Sequence, residues 1–285
     1  MRYIKSFQND AAIQAAVDNK TLGKPYVALN DQTGKIDWNG KDIDYSSMYL
    51  TIEALSGGTF YVRAANIGYS VNGADWETTT GETALALNQG DAVRFKGTAG
   101  GNSLFSGNTL DFNAYGNIES LEYGDDFIGK TSMKKASAFH GLFDSSQGLK
   151  SAEHLVLPAT TLLTGCYSNM FSECSSLTTA PVLPATTIAS NCYSLMFASC
   201  SNLTTAPVLN APVIEKRCYM FMFKSCSNLN YIKCLASTII NESVFTPLTG
   251  WCDFVSETGT FVKKAGVEWP TGASGIPDGW TVIEE

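Results

Sequence analysis

The chain has 285 residues, 44% of them hydrophobic, with a formal net charge of −8 and a pI near 4.8. That is enough apolar material for two or three cored domains, and the acidic balance leaves no basic stripe for nucleic acid. No apolar run reaches the roughly 18 residues that a membrane helix needs, so no membrane span is expected.

Residues 1–45 read as a small N-terminal attachment module, strand–helix–hairpin. Tyr3–Phe7 has a strand pattern. Asp10 caps a helix whose apolar face is Ala12, Ile13, Ala16 and Val17, and Gly23 ends it. Tyr26–Leu29 and Lys35–Trp38 flank Asp31-Gln-Thr-Gly34, a hairpin signal. A unit this short buries little surface alone, so packing on a neighbour or oligomerisation is expected. Its functional reading is docking; the plain one is an ordinary N-terminal extension. The first residues lack a continuous apolar stretch, so no export signal is read there.

Residues 46–121 read as all-β. Met48–Leu55, Thr59–Ala64, Tyr69–Val71, Ala84–Leu87, Ala92–Phe95 and Leu110–Phe112 are short strand patterns punctuated by Gly57-Gly58, Asn72-Gly73, Gly90-Asp91 and Gly100-Gly101. This spacing predicts a β-sandwich. Ile118–Leu121 then leads into a repeat.

The repeat dominates the C-terminal half. LPATTLLTGCYSNMFSECSSLTTAPV begins at Leu157, and LPATTIASNCYSLMFASCSNLTTAPV at Leu183 matches it at 18 of 26 positions. A looser copy begins at Leu209. A fixed period of this length marks units that cannot bury an apolar face alone and stack on one another. Cys166, Tyr167, Met170 and Phe171 stand at i, i+1, i+4, i+5, as do Cys192, Tyr193, Met196 and Phe197, and Cys218, Tyr219, Met222 and Phe223. That spacing predicts one side of a short helix, followed by extended pieces through Leu177–Leu183 and Leu203–Leu209. Only seven charged residues lie between Leu155 and Pro247. Stacking explains this, since a charge repeated on a ladder faces its own copy. Worn units are read upstream from Ala138 and downstream to Leu248.

The pattern L-P-A-T-T-L…C-Y…M-F…C-S-S-L-T…A-P resembles the BspA-like leucine-rich repeats of bacterial surface proteins, over about residues 138–248. The resemblance implies a stack with short strands, surface exposure in gut anaerobes and their phages, and a role in adhesion or recognition. It offers no catalytic residues. The resulting expectation is a mixed α/β, multidomain chain. It comprises a small α+β module (1–45), a β-sandwich (46–121), a leucine-rich-repeat solenoid (122–248) and a C-terminal cap (249–285). The tail holds Trp251, Phe254, Phe261, Trp269 and Trp280, read as packing over the last coil; the alternative is stacking platforms for sugar rings.

Chemistry is sparse. Six of the eight cysteines form two ladders of three, read as a buried apolar core, because free Cys behaves as a small hydrophobe. Zinc would want short pairs such as C-x2-C, and none occurs, so no metal and no cofactor are expected. Pairing within a ladder of three would strand one thiol. His140 and His154 are not singled out by any dyad spacing. The expected function is therefore non-enzymatic: a phage virion-associated fibre or decoration protein displaying the repeats, or alternatively a BspA-like adhesin on the bacterial cell surface. The N-terminal module would dock on a virion or cell-surface protein, and the repeats would take a protein or glycan ligand. A trimer would suit a fibre, although no heptad stretch demonstrates one. The candidate binding surface is where copies differ: Asn169, Leu195 and Phe221 on one ladder, Glu173, Ser199 and Ser225 on another.

Overall fold

The computed structural model describes residues 5–7, 27–30, 36–38, 41–42, 44–97, 102–239 and 246–285. The chain divides into two compact units, Met1–Tyr45 and Ser46–Glu285.

In the first unit, β1 (Lys5–Phe7), β2 (Val27–Asn30), β3 (Ile36–Trp38) and β4 (Lys41–Asp42) form one sheet in that order. The expected hairpin is the antiparallel β2–β3 pair, with Val27 opposite Trp38 and Leu29 opposite Ile36. β1 runs parallel to β2, a pairing that requires a crossover between them. The helix expected from Asp10 to Gly23 lies outside the described residues.

The second unit opens with β5 (Leu50–Ala54), β6 (Gly58–Val71), β7 (Glu77–Leu87), β8 (Ala92–Lys96) and β9 (Phe112–Asn117). β10 (Leu149–Ser151) and β11 (Leu155–Val156) come from the repeat region and lie parallel to β9. They complete a seven-stranded sheet ordered β10-β9-β5-β8-β6-β7, with β11 also on β9. β6 merges two segments that the sequence separates, and a register shift between Ala65 and Gly68 accommodates Asn66 at φ 63°. Glycine is required at Gly116 (φ 84°), where a Cβ would collide with the Tyr49 carbonyl oxygen.

Two expectations are corrected here. First, no mixed α/β, multidomain protein results. Among the described residues α1 (Ser120–Tyr123) is the one α-helix, and the rest is strands and turns in small sheets. No β-sandwich forms either: the strands of 46–121 join a single sheet. Its second layer is supplied by aromatic rings of the turn rows, with Phe60, Phe95 and Phe112 packed on Phe105 and Phe143. One apolar core therefore runs from Leu50 to Trp280.

Second, the helix–loop–strand coils of a leucine-rich-repeat solenoid are absent among the described residues. Where a helical turn is expected, the backbone makes consecutive tight turns. In the first copy Cys166, Ser168, Met170, Ser172 and Cys174 donate their N–H groups three residues back, to Leu163, Gly165, Tyr167, Asn169 and Phe171. The alternate residues Tyr167, Asn169, Phe171 and Glu173 donate instead to Cys192, Ser194, Met196 and Ala198 of the next copy. Every fourth residue is left-handed: Gly165, Asn169 and Glu173, then Asn191, Leu195 and Ser199, then Arg217, Phe221 and Ser225. The i, i+1, i+4, i+5 spacing therefore has a period of four, set by turns, rather than the 3.6 of a helix.

The same bonding joins further rows. Ser103, Phe105 and Gly107 donate to His140, Leu142 and Asp144; Gly141 and Phe143 donate to Ser168 and Met170; Phe223 and Ser225 donate to Trp251 and Asp253. Side chains stack along the rows. The rings of Phe143, Phe171, Phe197 and Phe223 lie 5.4–5.8 Å apart with planes within 8°. Phe139, Tyr167, Tyr193 and Tyr219 form a second column, and Trp251 closes both columns at 6.0 Å. The thiols serve as rungs: Cys174, Cys200 and Cys226 donate to the carbonyls of Phe143, Phe171 and Phe197 at 3.1, 3.1 and 2.9 Å. A small apolar residue that still offers a weak donor suits a buried carbonyl of the preceding row.

Candidate functional site

The six sequence-selected positions fall on two columns, and both columns are left-handed. Asn169, Leu195 and Phe221 have φ of 57°, 58° and 56°. Glu173, Ser199 and Ser225 have φ of 59°, 62° and 62°. The first column runs from Ser103 through Gly141 to Gly250; the second runs from Gly107 through Ser145 to Phe254, which also has φ 60°. The copies differ here because these side chains leave the ladder, whereas their neighbours Met170, Met196 and Met222 or Cys174, Cys200 and Cys226 must repeat inside the core.

The face is polar at one end and apolar at the other. Asn169 Nδ2 lies 3.2 Å from His140 Nε2 and 3.1 Å from Ser168 Oγ. Glu173 accepts a hydrogen bond from Ser145 Oγ at 3.0 Å. Beside Glu173, burial and then the Glu173 charge raise the Asp144 carboxyl, while a Ser172 hydrogen bond opposes the rise. Toward the other end Leu195 and Phe221 are half-buried, and Lys224 Nζ lies 5.0 Å over the Phe221 ring. Phe221 also leans on the bare backbone of Gly250, whose Cβ position would be 2.6 Å from the ring. Phe254 is 70% exposed.

A left-handed non-glycine residue is uncommon; Asn tolerates it, but Leu and Phe carry a cost of about 1–2 kcal/mol each. Leu195 and Phe221 stand in the slot that Asn169 fills in the first copy. The sequence signal for these turns was Gly165, Asn169 and Asn191 in register four residues apart or one repeat apart. A further row at Ser103–Gly107 escaped sequence reading, since only Phe105 and Gly107 mark it.

The C-terminal tryptophans do not offer sugar platforms. Trp251, Trp269 and Trp280 are all buried, and the indoles of Trp251 and Trp280 donate to Gly275 and Ser256 carbonyls at 2.7 and 2.8 Å. β12 (Val213–Ile214) and β14 (Thr238–Ile239) pair in parallel, and β15 (Thr260–Lys263) and β16 (Thr281–Glu284) extend β13 (Tyr231–Cys234) as a parallel sheet over the end of the stack. All eight cysteines are free and buried. Burial pushes the Cys166 and Cys226 thiols up to about 12, far from the thiolate form that reacts. Among the described residues no helix is long and apolar enough to cross a membrane.

No protein-family model, curated protein or solved structure matches this chain.

Proposed function

We propose that this is a non-enzymatic recognition protein carried on a phage particle as a fibre or decoration protein. It contacts a protein or glycan on the target surface through the two left-handed columns. The observation that carries this reading is Leu195 and Phe221, apolar side chains held half-buried in a backbone conformation that disfavours them. Strain retained at adjacent rows is a feature of functional surfaces. Phe254 continues the apolar end of the face. The N-terminal unit supplies attachment to the particle, and the BspA-like repeat pattern points to the same kind of role.

The test is twofold. Antibody to the repeat region, followed by immunogold electron microscopy, should label purified particles; label on host cells alone would replace the virion reading with the surface-adhesin one. Binding of the isolated chain to target cells should fall at least tenfold in the triple variant Leu195→Asn, Phe221→Asn, Phe254→Ser. If the triple variant keeps its far-ultraviolet circular dichroism and binds as the parent does, the face is not the recognition surface.

A further inference from the structure

Two glutamates sit where the sheet meets the stacked rows, and both are fully buried. Glu119 lies in the turn between β9 and α1, and Glu122 lies within α1. Both residues are 0% exposed. α1 is tied to the sheet through Ser120, whose hydroxyl accepts from Leu50 N–H at 3.1 Å and donates to the Phe95 carbonyl at 2.9 Å.

Neither Glu119 oxygen has a hydrogen-bond donor from the protein, nor does Glu122 Oε1. Glu122 Oε2 accepts from the Lys134 N–H at 2.9 Å. The Lys134 ammonium donates to the Glu122 main-chain carbonyl. The Glu119 carboxyl is within hydrogen-bonding reach of Glu122. From the first repeat row, the Tyr167 hydroxyl is buried without a protein partner, and burial, then Tyr193 and the Glu119 charge, hold it well above the usual phenol range. Burial, then Cys192 and the Glu122 charge, push the Cys166 thiol up.

Two adjoining carboxylates in a dry site cannot both ionise at modest cost; a proton between them turns repulsion into a hydrogen bond. We propose that Glu119 and Glu122 hold one proton between them, and that releasing it to solvent loosens the joint between the seven-stranded sheet and the first repeat row. The groups facing the pair are Glu122 from α1, Lys134 from the segment before the rows, and Tyr167 and Cys166 from the first row. Lys134 favours ionisation, but burial and the neighbouring carboxylate outweigh it and push Glu119 up to about 8. The sign follows from linkage. A carboxyl whose folded value lies above its unfolded one contributes stability that is fully present below the ordinary 4.5 and is lost as pH rises through about 8.

The test uses the full chain. Infrared spectra at about pH 7 should show the carbonyl band of a protonated carboxylic acid, fading as pH rises through the value near 8. Tm should fall from about pH 4.5 to about pH 8 and level off above it, and hydrogen exchange of the 118–123 amides, corrected for intrinsic rate, should rise over the same range. Glu119→Gln should abolish both the band and the pH-dependent part of the fall. Glu122→Gln gives Glu119 a permanent amide donor and should move the fall to lower pH. Absence of the band in the wild-type chain at neutral pH overturns the proposal, and so does an unchanged fall in Glu119→Gln. If Glu119→Gln does not fold, the wild-type band and its pH dependence decide.

Discussion

Phe197 sits in the middle of the phenylalanine column, fully buried, with Phe171 at 5.4 Å and Phe223 at 5.8 Å on its two faces. Phe197→Ala removes a whole ring from a packed interior, which costs about 3–5 kcal/mol in transfer and cavity terms. The two ring contacts, at about 0.5–1.5 kcal/mol each, form part of that loss. The informative point is where the loss is felt. A stack with only neighbour-to-neighbour coupling would lose protection near the missing ring and keep it elsewhere. Here the core is continuous from β5 to the tail, since Phe143 touches both Phe105 of the sheet layer and Phe171. Peptide-resolved hydrogen exchange across a denaturant series should therefore show β5 and β15 losing stability together, by amounts equal to within about 1 kcal/mol. Unchanged β5 amides beside weakened β15 amides would refute the single-core reasoning. A total loss below about 1 kcal/mol would refute the packing estimate itself. Phe254→Ala, at a 70% exposed position, is the control and should stay within about 0.5 kcal/mol.

Further outcomes follow from other features. Gly116→Ala places a methyl group against the Tyr49 carbonyl at a positive φ and should lower stability by at least about 2 kcal/mol, measured by urea unfolding. Gly81→Ala, in β7 with open space around it, should instead raise stability by about 0.4–1 kcal/mol. Cys200→Ala removes one of two donors to the Phe171 carbonyl, which keeps the Cys174 N–H, and should cost about 0.5–1.5 kcal/mol, with Cys200→Ser less damaging because its hydroxyl can still reach that oxygen. In the folded chain the eight thiols should resist iodoacetamide and become labelled only on unfolding, as intact-mass spectra will record.

Strand positions were well marked in the sequence because alternation is a local property. Met48–Leu55 became β5 and Ala92–Phe95 became β8, each within two residues. What covers a strand's apolar face is not local. The sandwich reading failed because Phe105 and Phe143, which belong to the turn rows, supplied the second layer. The 26-residue period was plain, and the ladder reading of Tyr, Phe and Cys followed from it. The helix reading failed at a finer level: over six residues a period of four and a period of 3.6 put the same residues on one side. Gly165 and Asn169, four apart and both suited to left-handed backbone, were the discriminating signal. Glu119 and Glu122 were not legible at all. Acidic residues around a short helical turn look solvated in sequence, and only the closure of the first row over them makes them interior.

The turn rows also explain why variation is confined to so few positions. Each row donates alternate N–H groups to the next, so the backbone is fixed whatever the side chains are. Aromatic side chains stack on their own equivalents in adjacent rows, the thiols bond carbonyls one row back and the methionines are fully buried, so all three slots are held to one size and shape. The left-handed residue of each turn escapes this, because its side chain leaves the column. Backbone preference alone would fill that slot with Gly or Asn in every row, as at Gly141, Asn169 and Gly250. Leu195 and Phe221 depart from that preference in successive rows. Phe221 recovers part of the cost by leaning on Gly250 and under Lys224. Leu195 has no such cradle from a glycine in the next row, since Phe221 itself stands there. Phe139 is left-handed too, at φ 60°, but it is fully buried in the aromatic column, whereas Leu195 and Phe221 are half-open to solvent. Leu195→Asn therefore separates a contact role from a packing one: stability should change by less than about 1 kcal/mol, because relief of strain offsets the lost burial. A larger loss would make Leu195 a packing residue and remove the support it gives to the proposed recognition face.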